Sequence, residues 1–381
     1  MPRRVAILPP VPVPYREPLF ERLAERGRVV PHVAYLSTAQ AGWDQPGEWF
    51  PAKHSYSSEA LRSWQRTRPG RSPVTVARGV GRALSGARPD CVVTWEFGPA
   101  TWRALVWGRR RGVAVVVFSE LTPWSDVGLS RLQLRVHRAL APRVAGVIAA
   151  SSQGAERAGR LGVSSEGIEV ALQAADIEAV AAAAGKGGAP AGAGSEGDRS
   201  AVRVLAVGRL VPDKNLEELL AAFAEAGFEE GEAELELRGA GPLEGPLRAQ
   251  AERLGVPARF PGPVPPAQLG EVYAAADALA LVSTYEPFGV TLREGAAAGL
   301  PLIASVRAGA TGDVAVEGEN ALVLDPTDRA AITVALRRVV RDPALRRQLA
   351  AGSRAVTQRH PLEADVEAWE RAVLRAAGAS G

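Results

Sequence analysis

The chain has 381 residues, of which 46% are hydrophobic and 23% are charged. This length and composition predict a globular protein built from two domains of ordinary size. The single cysteine, Cys91, excludes an internal disulfide and is typical of a reducing cytosol. No apolar run approaches the roughly 18 residues that a bilayer crossing needs. The proline-broken start of the chain indicates a first strand rather than a signal peptide.

The net charge of +3 is distributed unevenly along the chain. Residues 1–150 carry 22 Arg or Lys and 10 Asp or Glu, a balance of +12, whereas the remainder carries 23 and 32, a balance of −9. The basic half could contact an anionic membrane surface, an anionic acceptor or nucleic acid, or it could be a solvated arginine-rich surface. Lysine is scarce, with three residues in the whole chain.

Residues 179–200 are rich in Ala, Gly and Pro. Such a segment buries too little apolar surface to offset its conformational entropy. We therefore predict a linker or a disordered insertion there. It would separate an N-terminal domain, residues 1–178, from a C-terminal domain, residues 201–360.

Short apolar runs of β type alternate with helical patterns on both sides of this linker. Continuous apolar strands separated by amphipathic helices imply parallel sheets that are covered on both faces. The predicted fold class is α/β, with two Rossmann-like domains whose ligands bind beyond the carboxyl ends of the strands. The predicted strands are VAILP, VVPHVAYL, CVVTW, VAVVVFS and AGVIAAS in the first domain, and VRVLAVG, AELELRG, ARFPG, ALALVS, LPLIAS and ALVL in the second.

One polar loop follows the first strand of the second domain. It opens at Gly208 and carries Arg209 and Lys214. Asn215 and Glu218 have the spacing of a capping box, and apolar residues at helical spacing follow them. Two cations at the mouth of a sheet suit a diphosphate, which needs charge neutralisation and hydrogen-bond donors. The alternative is a pair of solvated loop cations.

A second polar loop follows the strand ALALVS. Glu286 comes just past the strand, and Glu294 follows eight positions later. Pro287 favours a helix start, where free backbone N–H groups attract an anion. The two carboxylates can accept hydrogen bonds from sugar and ribose hydroxyls, although two solvent-facing glutamates on an ordinary helix would give the same spacing. The N–H groups expected to point outward are those of Phe288, Gly289 and Val290.

The segments GRLVPDKN and STYEPFGVTLREGAAAGLPLIAS resemble the donor-site signature of the GT-B glycosyltransferases, in particular the large retaining family 4. Two further segments, LRGAGPLEGPLRAQAERLG and FPGPVPPAQLGEVYAAADALALVS, lie between them in the family's order. The N-terminal half resembles the family more weakly, through PYREPLFERLAERG and GVIAASSQGAERAGRLGVSSEGIEV. The resemblance implies a GT-B fold, with two Rossmann-like domains facing each other across a cleft and residues 361–381 forming a helix that returns to the acceptor-binding N-terminal domain.

The resemblance also implies how the nucleotide is held. Arg209 and Lys214 would bind the donor pyrophosphate and stabilise it as a leaving group. Gly208 would belong to the same donor-binding loop. The loops at Gly239 and Val264 would frame the base, which leaves UDP-linked and GDP-linked donors equally open.

For the sugar, the resemblance implies that Glu286 and the backbone of residues 288–290 hold the transferred group, and that Glu294 binds the ribose. The implied reaction moves a hexose from a nucleoside-diphosphate sugar to an acceptor hydroxyl, with retention of configuration. The acceptor class is open between a small molecule, a glycan and a lipid-linked sugar.

The N-terminal half departs from the family's pattern. The usual glycine pair after the first strand is replaced by PPVPVPYREP, where Arg16 could substitute in phosphate contact. The reaction-centre histidine of many members is absent, and TWEFGP stands in the corresponding region. Glu96 is therefore a candidate acceptor-side or polar-assist residue, with Glu120 a weaker one. A structural carboxylate is the alternative for each.

No Asp-x-Asp motif occurs, and the four histidines lack ligand spacing, so we predict neither a metal nor a cofactor. A nicotinamide dehydrogenase would need a Gly-x-Gly-x-x-Gly turn after a strand, which is missing. A nucleotide-sugar epimerase on the same scaffold and a basic non-catalytic binding protein stay open as alternatives. We expect a cytosolic protein that does not bind nucleic acid, with the basic half favouring a peripheral position at the inner face of the membrane.

Overall fold

A computed structural model of the chain describes residues 1–39, 55–68, 71–186 and 201–378. The chain divides into two compact units. The N unit comprises Met1–Ala174 together with Leu362–Gly381, and the C unit comprises Ala175–Pro361.

Strands and helices alternate along most of the described residues. In chain order the strands are β1 Arg3–Leu8, β2 Val29–Tyr35, β3 Ser57–Ala60, β4 Ser63–Arg68, β5 Arg71–Ala77, β6 Cys91–Trp95, β7 Ala114–Ser119, β8 Gly146–Ala149, β9 Ile168–Val170, β10 Val202–Val207, β11 Ala233–Arg238, β12 Ala258–Gly262, β13 Ala278–Leu281, β14 Leu302–Ser305 and β15 Ala321–Leu324. The helices are α1 Glu17–Glu25, α2 Val80–Ala87, α3 Pro99–Arg109, α4 Arg131–Leu140, α5 Ser152–Arg160, α6 Ile177–Lys186, α7 Leu216–Glu225, α8 Glu244–Leu254, α9 Leu269–Ala274, α10 Val290–Ala297, α11 Arg329–Arg341, α12 Pro343–Arg359 and α13 Leu362–Gly378.

The N unit is centred on a parallel sheet with the order β3-β2-β1-β6-β7-β8-β9. Strands β6 and β8 are buried along their whole length, and β7 is buried after its first residue. Burial on both faces explains why their sequences are continuous apolar runs. Strands β4 and β5 form a separate antiparallel pair.

The C unit contains a six-stranded parallel sheet with the order β12-β11-β10-β13-β14-β15. Successive strands are added on one side of β10 as far as β12, and then on its other side from β13 onward. This is the strand order of the dinucleotide-binding fold, whose ligands bind where the order reverses. The reversal places the ends of β10 and β13 side by side.

Each of the eleven apolar runs predicted as strands contains one strand of the two parallel sheets. The prediction of an α/β fold with two Rossmann-like domains is therefore confirmed. The sequence did not reveal β3, β4, β5 and β9. Strand β3, with the sequence SSEA, is exposed at the edge of its sheet and so lacks an apolar signature.

The segment predicted as a linker differs from that prediction in its first part. Residues 179–186 lie in α6, and the boundary between the units falls at Ala174 rather than residue 178. Alanine has the highest helix propensity, and α6 buries Ile177 and Val180 as it packs on α9 and α10. The rest of the predicted linker, residues 187–200, lies outside the described residues. Within the described ranges, no helix combines the length and the apolar content that a bilayer crossing requires.

Helix α13 packs on the N-unit sheet although it follows the whole C unit in the chain. The indole of Trp369 is fully buried, and its centroid lies 5.3 Å from that of Phe118 and 6.1 Å from those of Phe20 and Trp95. The backbone N–H of Leu172 donates to the Asp365 carboxylate at 2.7 Å. The helix is therefore part of the N-unit core.

We expect Trp369→Ala to lower the free energy of unfolding by about 3–5 kcal/mol, because it removes a large side chain from the centre of this aromatic cluster. Trp102→Ala is the matched control, since Trp102 is 57% exposed, and it should change stability by at most about 0.5 kcal/mol. Urea denaturation followed by circular dichroism measures both. Equal stability of the two variants would show that α13 contributes little to the core.

Candidate functional site

The two polar loops of the C unit follow β10 and β13, which are neighbours in the sheet. A shallow concavity lies at this edge of the sheet. Arg209 is exposed beside it, whereas Lys214 is half-buried. The concavity is lined by Ala206, Val207, Gly208, Arg209, Leu210, Lys214, Leu216, Ala280, Leu281 and Val282.

An ion pair connects the two loops. The Lys214 Nζ donates to Glu286 Oε2, and the Ser283 hydroxyl lies 3.4 Å from the same carboxylate oxygen. The backbone N–H of Thr284 donates to the Asp213 carbonyl at 2.9 Å, which is a second tie between the loops. The structure therefore brings Gly208, Arg209 and Lys214 to one concavity and holds the Glu286 carboxylate against the lysine.

The loop after β11 lies directly against this site. The N–H of Gly208 donates to the Arg238 carbonyl at 2.9 Å, and the N–H of Gly239 donates to the Gly262 carbonyl at 3.0 Å. A Cβ at Gly239 would lie 1.8 Å from the Gly208 carbonyl oxygen, so only glycine permits this approach. Val264 follows β12 in the next loop along the same edge. The loops expected to frame a base thus share an edge with the two cations.

The helix after Glu286 starts later than the sequence suggested. Pro287 was expected to begin it, but α10 begins at Val290, after Gly289 with φ of +98°. The backbone before α10 is hydrogen-bonded to the segment after β14. The N–H of Gly309 donates to the Glu286 carbonyl at 3.1 Å, and the N–H of Ala310 donates to the Phe288 carbonyl at 2.8 Å. Among the described residues, no acceptor is found for the N–H groups of Phe288, Gly289 and Val290.

The predicted capping box at α7 is wrong. Asn215 has a left-handed backbone with φ of +59° and makes no side-chain cap. Its amide instead donates to the Pro326 carbonyl at 2.7 Å. Glu218 forms a two-armed ion pair with Arg329, with contacts of 2.7 and 3.0 Å. Both side chains tie the loop and helix to the segment after β15, and this tertiary contact overrides the local pattern.

Glu294 lies on α10 and is buried inside the C unit. Its side chain is 7% exposed, and it accepts a hydrogen bond from the Tyr273 hydroxyl at 2.6 Å. Burial raises its pKa to about 7; the Tyr273 hydrogen bond opposes this rise and the charge of Asp176 adds to it. Sequence reasoning missed Tyr273, which looks like an ordinary core residue of a short helix. The ribose-binding role of Glu294 stays a prediction.

In the N unit, Glu96 directly follows β6 and has a left-handed φ of +53°. Its carboxylate accepts hydrogen bonds from the Ser119 hydroxyl at 2.8 Å and from the Glu120 N–H at 2.7 Å. Burial raises its pKa to about 7. Both carboxylate oxygens are thus used to hold the loop after β7. These contacts are those of a structural carboxylate, the alternative given for Glu96, and its acceptor-side role stays a prediction.

Arg16, expected to replace a phosphate-binding loop, is buried and pairs with Glu120 at 2.9 Å. Its guanidinium lies 4.5 Å from the ring centroid of Trp95, whose indole N–H donates to the same Glu120 oxygen at 3.2 Å. The Nε and Nη1 atoms of Arg16 are buried and have no hydrogen-bond partner among the residues that the structure describes. Arg16 and Glu120, which the sequence suggested for separate roles, therefore form one cluster at the carboxyl edge of the N-unit sheet.

In the part of the chain that the structure describes, no group of three or more His, Cys, Asp or Glu side chains is arranged to hold a metal ion. Metal independence stays a prediction about the reaction.

The buried carboxyl of Glu294 generates a pH-dependent prediction. The pKa of Glu294 rises from 4.5 to about 7 on folding. Between these pH values the carboxyl is protonated in the folded chain and ionised in the unfolded chain. Protonation of Glu294 therefore stabilises the folded chain at low pH, and this stabilisation is lost as the pH rises from about 4.5 to about 7. Glu294→Gln removes the titration while its amide oxygen can still accept from Tyr273. We expect the variant to gain stability relative to the natural chain between about pH 5 and about pH 8.

Thermal melting across this range measures the difference between the two proteins. Glu271→Gln is the matched control, since Glu271 is an exposed acid of the same unit. A difference that stays constant with pH would contradict a raised pKa at Glu294.

Comparison with known families gives two matches. Residues 12–173 match the glycosyl transferase 4-like domain, and residues 198–356 match the glycosyl transferases group 1 domain. Several curated relatives align with part of the chain. The glycogen synthase of Mycobacterium tuberculosis is 34% identical over 169 residues, and the GDP-mannose-dependent alpha-(1-6)-phosphatidylinositol monomannoside mannosyltransferase of Mycolicibacterium smegmatis is 32% identical over 156 residues. These alignments cover 44% and 39% of this chain, and they span 39% and 40% of the relatives' own lengths.

Among solved structures, Alr3699/HepE of Anabaena in complex with UDP-glucose superposes with a TM-score of 0.73. The superposition covers 97% of this chain and 99% of that one, at 19% sequence identity. This likeness shows a shared GT-B fold. The chain thus carries a glycosyl transferase 4-like domain followed by a glycosyl transferases group 1 domain, in a GT-B architecture.

Proposed function

We propose that this chain is a retaining family 4 glycosyltransferase, which moves a hexose from a nucleoside-diphosphate sugar to an acceptor hydroxyl. The observation that carries the proposal is the concavity at the strand-order reversal of the C unit, with Arg209 and Lys214 at its wall and Glu286 held against Lys214. The matched domain models and the UDP-glucose complex of the HepE neighbour support it.

In this proposal the cations act on the leaving group. Charge develops on the diphosphate as the bond to the sugar breaks, and cations already in place stabilise that charge most strongly in the transition state. The Lys214 ammonium is half-buried, and its contact with Glu286 fixes its position before the donor arrives. Arg209 is exposed, and no ion pair within the described residues engages it, so its guanidinium can turn to the diphosphate.

The sugar would lie beside Glu286 and the N–H groups of Phe288, Gly289 and Val290. The ties of Gly309 and Ala310 hold that backbone in place. The departing phosphate would help to take the acceptor proton, which is consistent with Glu96 being occupied with its own neighbours. The donor is UDP-linked or GDP-linked, and neither a metal nor a cofactor is proposed.

The acceptor would be bound by the N unit, where Arg16, Trp95 and Glu120 cluster at the carboxyl edge of the sheet. It is a small molecule, a glycan or a lipid-linked sugar. One of the aligned relatives is by name a phosphatidylinositol monomannoside mannosyltransferase, which makes a lipid-linked sugar worth testing first.

We expect Lys214→Ala to lower kcat/KM for nucleotide release from the preferred donor by about one to two orders of magnitude. A charge-assisted hydrogen bond contributes roughly 1.5–3 kcal/mol, and each tenfold in rate corresponds to ~1.4 kcal/mol. The assay measures UDP or GDP released from a panel of nucleotide sugars with water as the acceptor.

Lys214→Arg keeps the charge and should retain more activity than Lys214→Ala. Arg253→Ala removes an exposed cation from α8, outside the residues that line the concavity, and should leave turnover unchanged. Turnover of Lys214→Ala at the natural level would remove Lys214 from the site.

Retention is tested by proton NMR of the sugar first released from an α-linked donor. We expect the α-anomer before mutarotation equilibrates the product, because retention preserves the configuration at the anomeric carbon. Initial release of the β-anomer would contradict retention. Release of free nucleotide together with an altered sugar, in the absence of any acceptor, would instead indicate an epimerase.

A further inference from the structure

Four apolar side chains of the N unit are exposed within one short stretch of chain. Val127 is 88% exposed, Leu132 69%, Trp124 42% and Val136 38%. Two of them precede α4, and the other two lie on it. Several exposed apolar side chains close together on a protein surface indicate an interaction surface.

On α4 the exposed residues form two adjoining stripes. Leu132 and Val136 are four residues apart and so lie on one face of the helix. Arg131, Arg135 and Arg138 are all exposed and follow one another at helical spacing along its flank. Together with Trp124 and Val127, these residues make up what we call the α4 patch.

The inward face of the same helix is fixed by one buried arginine. The Arg157 guanidinium donates from Nε to Asp126 Oδ1 at 2.8 Å, and its Nη2 lies 2.7 Å from the same oxygen and 3.0 Å from His137 Nδ1. Burial, reinforced by the charge of Arg157, lowers the pKa of His137 to about 4, so the imidazole is neutral at ordinary pH. Because Asp126 precedes Val127, this one contact holds both the turn and the helix with their apolar residues outward.

The patch also has a one-sided charge. Residues 127–155 contain four arginines and no aspartate or glutamate, and Asp126 just before them is already paired with Arg157. Within the described part of the chain, no carboxylate pairs with Arg131, Arg135 or Arg138. Their charge is therefore available to a partner outside the chain.

We propose that the α4 patch docks on the surface of an anionic lipid bilayer. Exposed aliphatic and indole groups beside a row of arginines are what an interfacial helix presents, because the apolar side chains enter the headgroup region while the cations pair with lipid phosphates. A nucleic acid would use the arginines and leave Leu132 and Val136 in water. The inference goes beyond the proposed transfer reaction, and binding to a bilayer does not require that reaction to occur.

The test uses the full chain and two kinds of vesicle, pure phosphatidylcholine and phosphatidylcholine mixed with phosphatidylglycerol. We expect co-sedimentation with the anionic vesicles alone, weakening as salt is added. Arg131→Gln with Arg135→Gln should lower the affinity by about twenty-five-fold, since each basic residue near an anionic leaflet is worth about fivefold. Leu132→Ser with Val136→Ser should lower it by at least about tenfold.

The matched control is Val334→Ser with Arg338→Gln, which removes an exposed valine and an exposed arginine, four residues apart, from α11 of the C unit. It should bind vesicles like the natural chain. Thermal melting and nucleotide release by the α4 variants show that they are folded, and they separate a loss of docking from a failure of the proposed reaction.

Three outcomes would overturn the proposal. The first is no sedimentation with anionic vesicles at low salt, and the second is vesicle binding by both α4 variants at the natural level. The third is loss of binding in the arginine variant while the Leu132→Ser, Val136→Ser variant binds normally. That result would indicate a purely electrostatic contact, of the kind an acidic protein or a nucleic acid would make.

Discussion

The contact between Lys214 and Glu286 depends on a constraint that the parallel sheet imposes. In such a sheet every strand ends at the same edge, and adjacent strands bring together loops that are far apart in the sequence. Lys214 and Glu286 are separated by 72 positions, and they meet because β10 and β13 are neighbours. The glycines around them let the backbone segments approach closely enough for the contact. At Gly309, for instance, a Cβ would lie 2.0 Å from the Pro287 carbonyl oxygen.

Much of this arrangement could be predicted from the sequence, because a buried parallel strand has an unmistakable composition. The runs that became β6, β7 and β13 are nearly all apolar, and each ends in a polar loop. Strand ends therefore identified Gly208, Lys214 and Glu286 as residues of one sheet edge. The structure of the Ala-rich start of the expected linker could not be predicted in this way. An alanine-rich composition does not distinguish a helix that buries Ile177 and Val180 from a segment without packing contacts.

The remaining differences arise from contacts between residues distant in sequence. The Asn215 side chain donates to the Pro326 carbonyl instead of capping α7. The surroundings of Glu96 and Glu294 were also invisible, because their partners, Ser119 and Tyr273, lie more than 20 positions away. Glu96 in the N unit and Glu294 in the C unit each have a pKa that burial raises to about 7. Such groups reduce stability when ionised, and acids whose pKa is shifted in this way are enriched at functional sites.

The position of α13 has a consequence for how the chain is made. The N unit begins with the first residues, yet its aromatic cluster is completed by Trp369, after the entire C unit has been synthesised. During translation Phe20, Trp95 and Phe118 of the nascent N unit therefore lack their central partner until α13 has left the ribosome. The C unit is continuous and has no such delay. We expect the order of maturation to run opposite to the order of synthesis, with the second-made unit reaching its native core first.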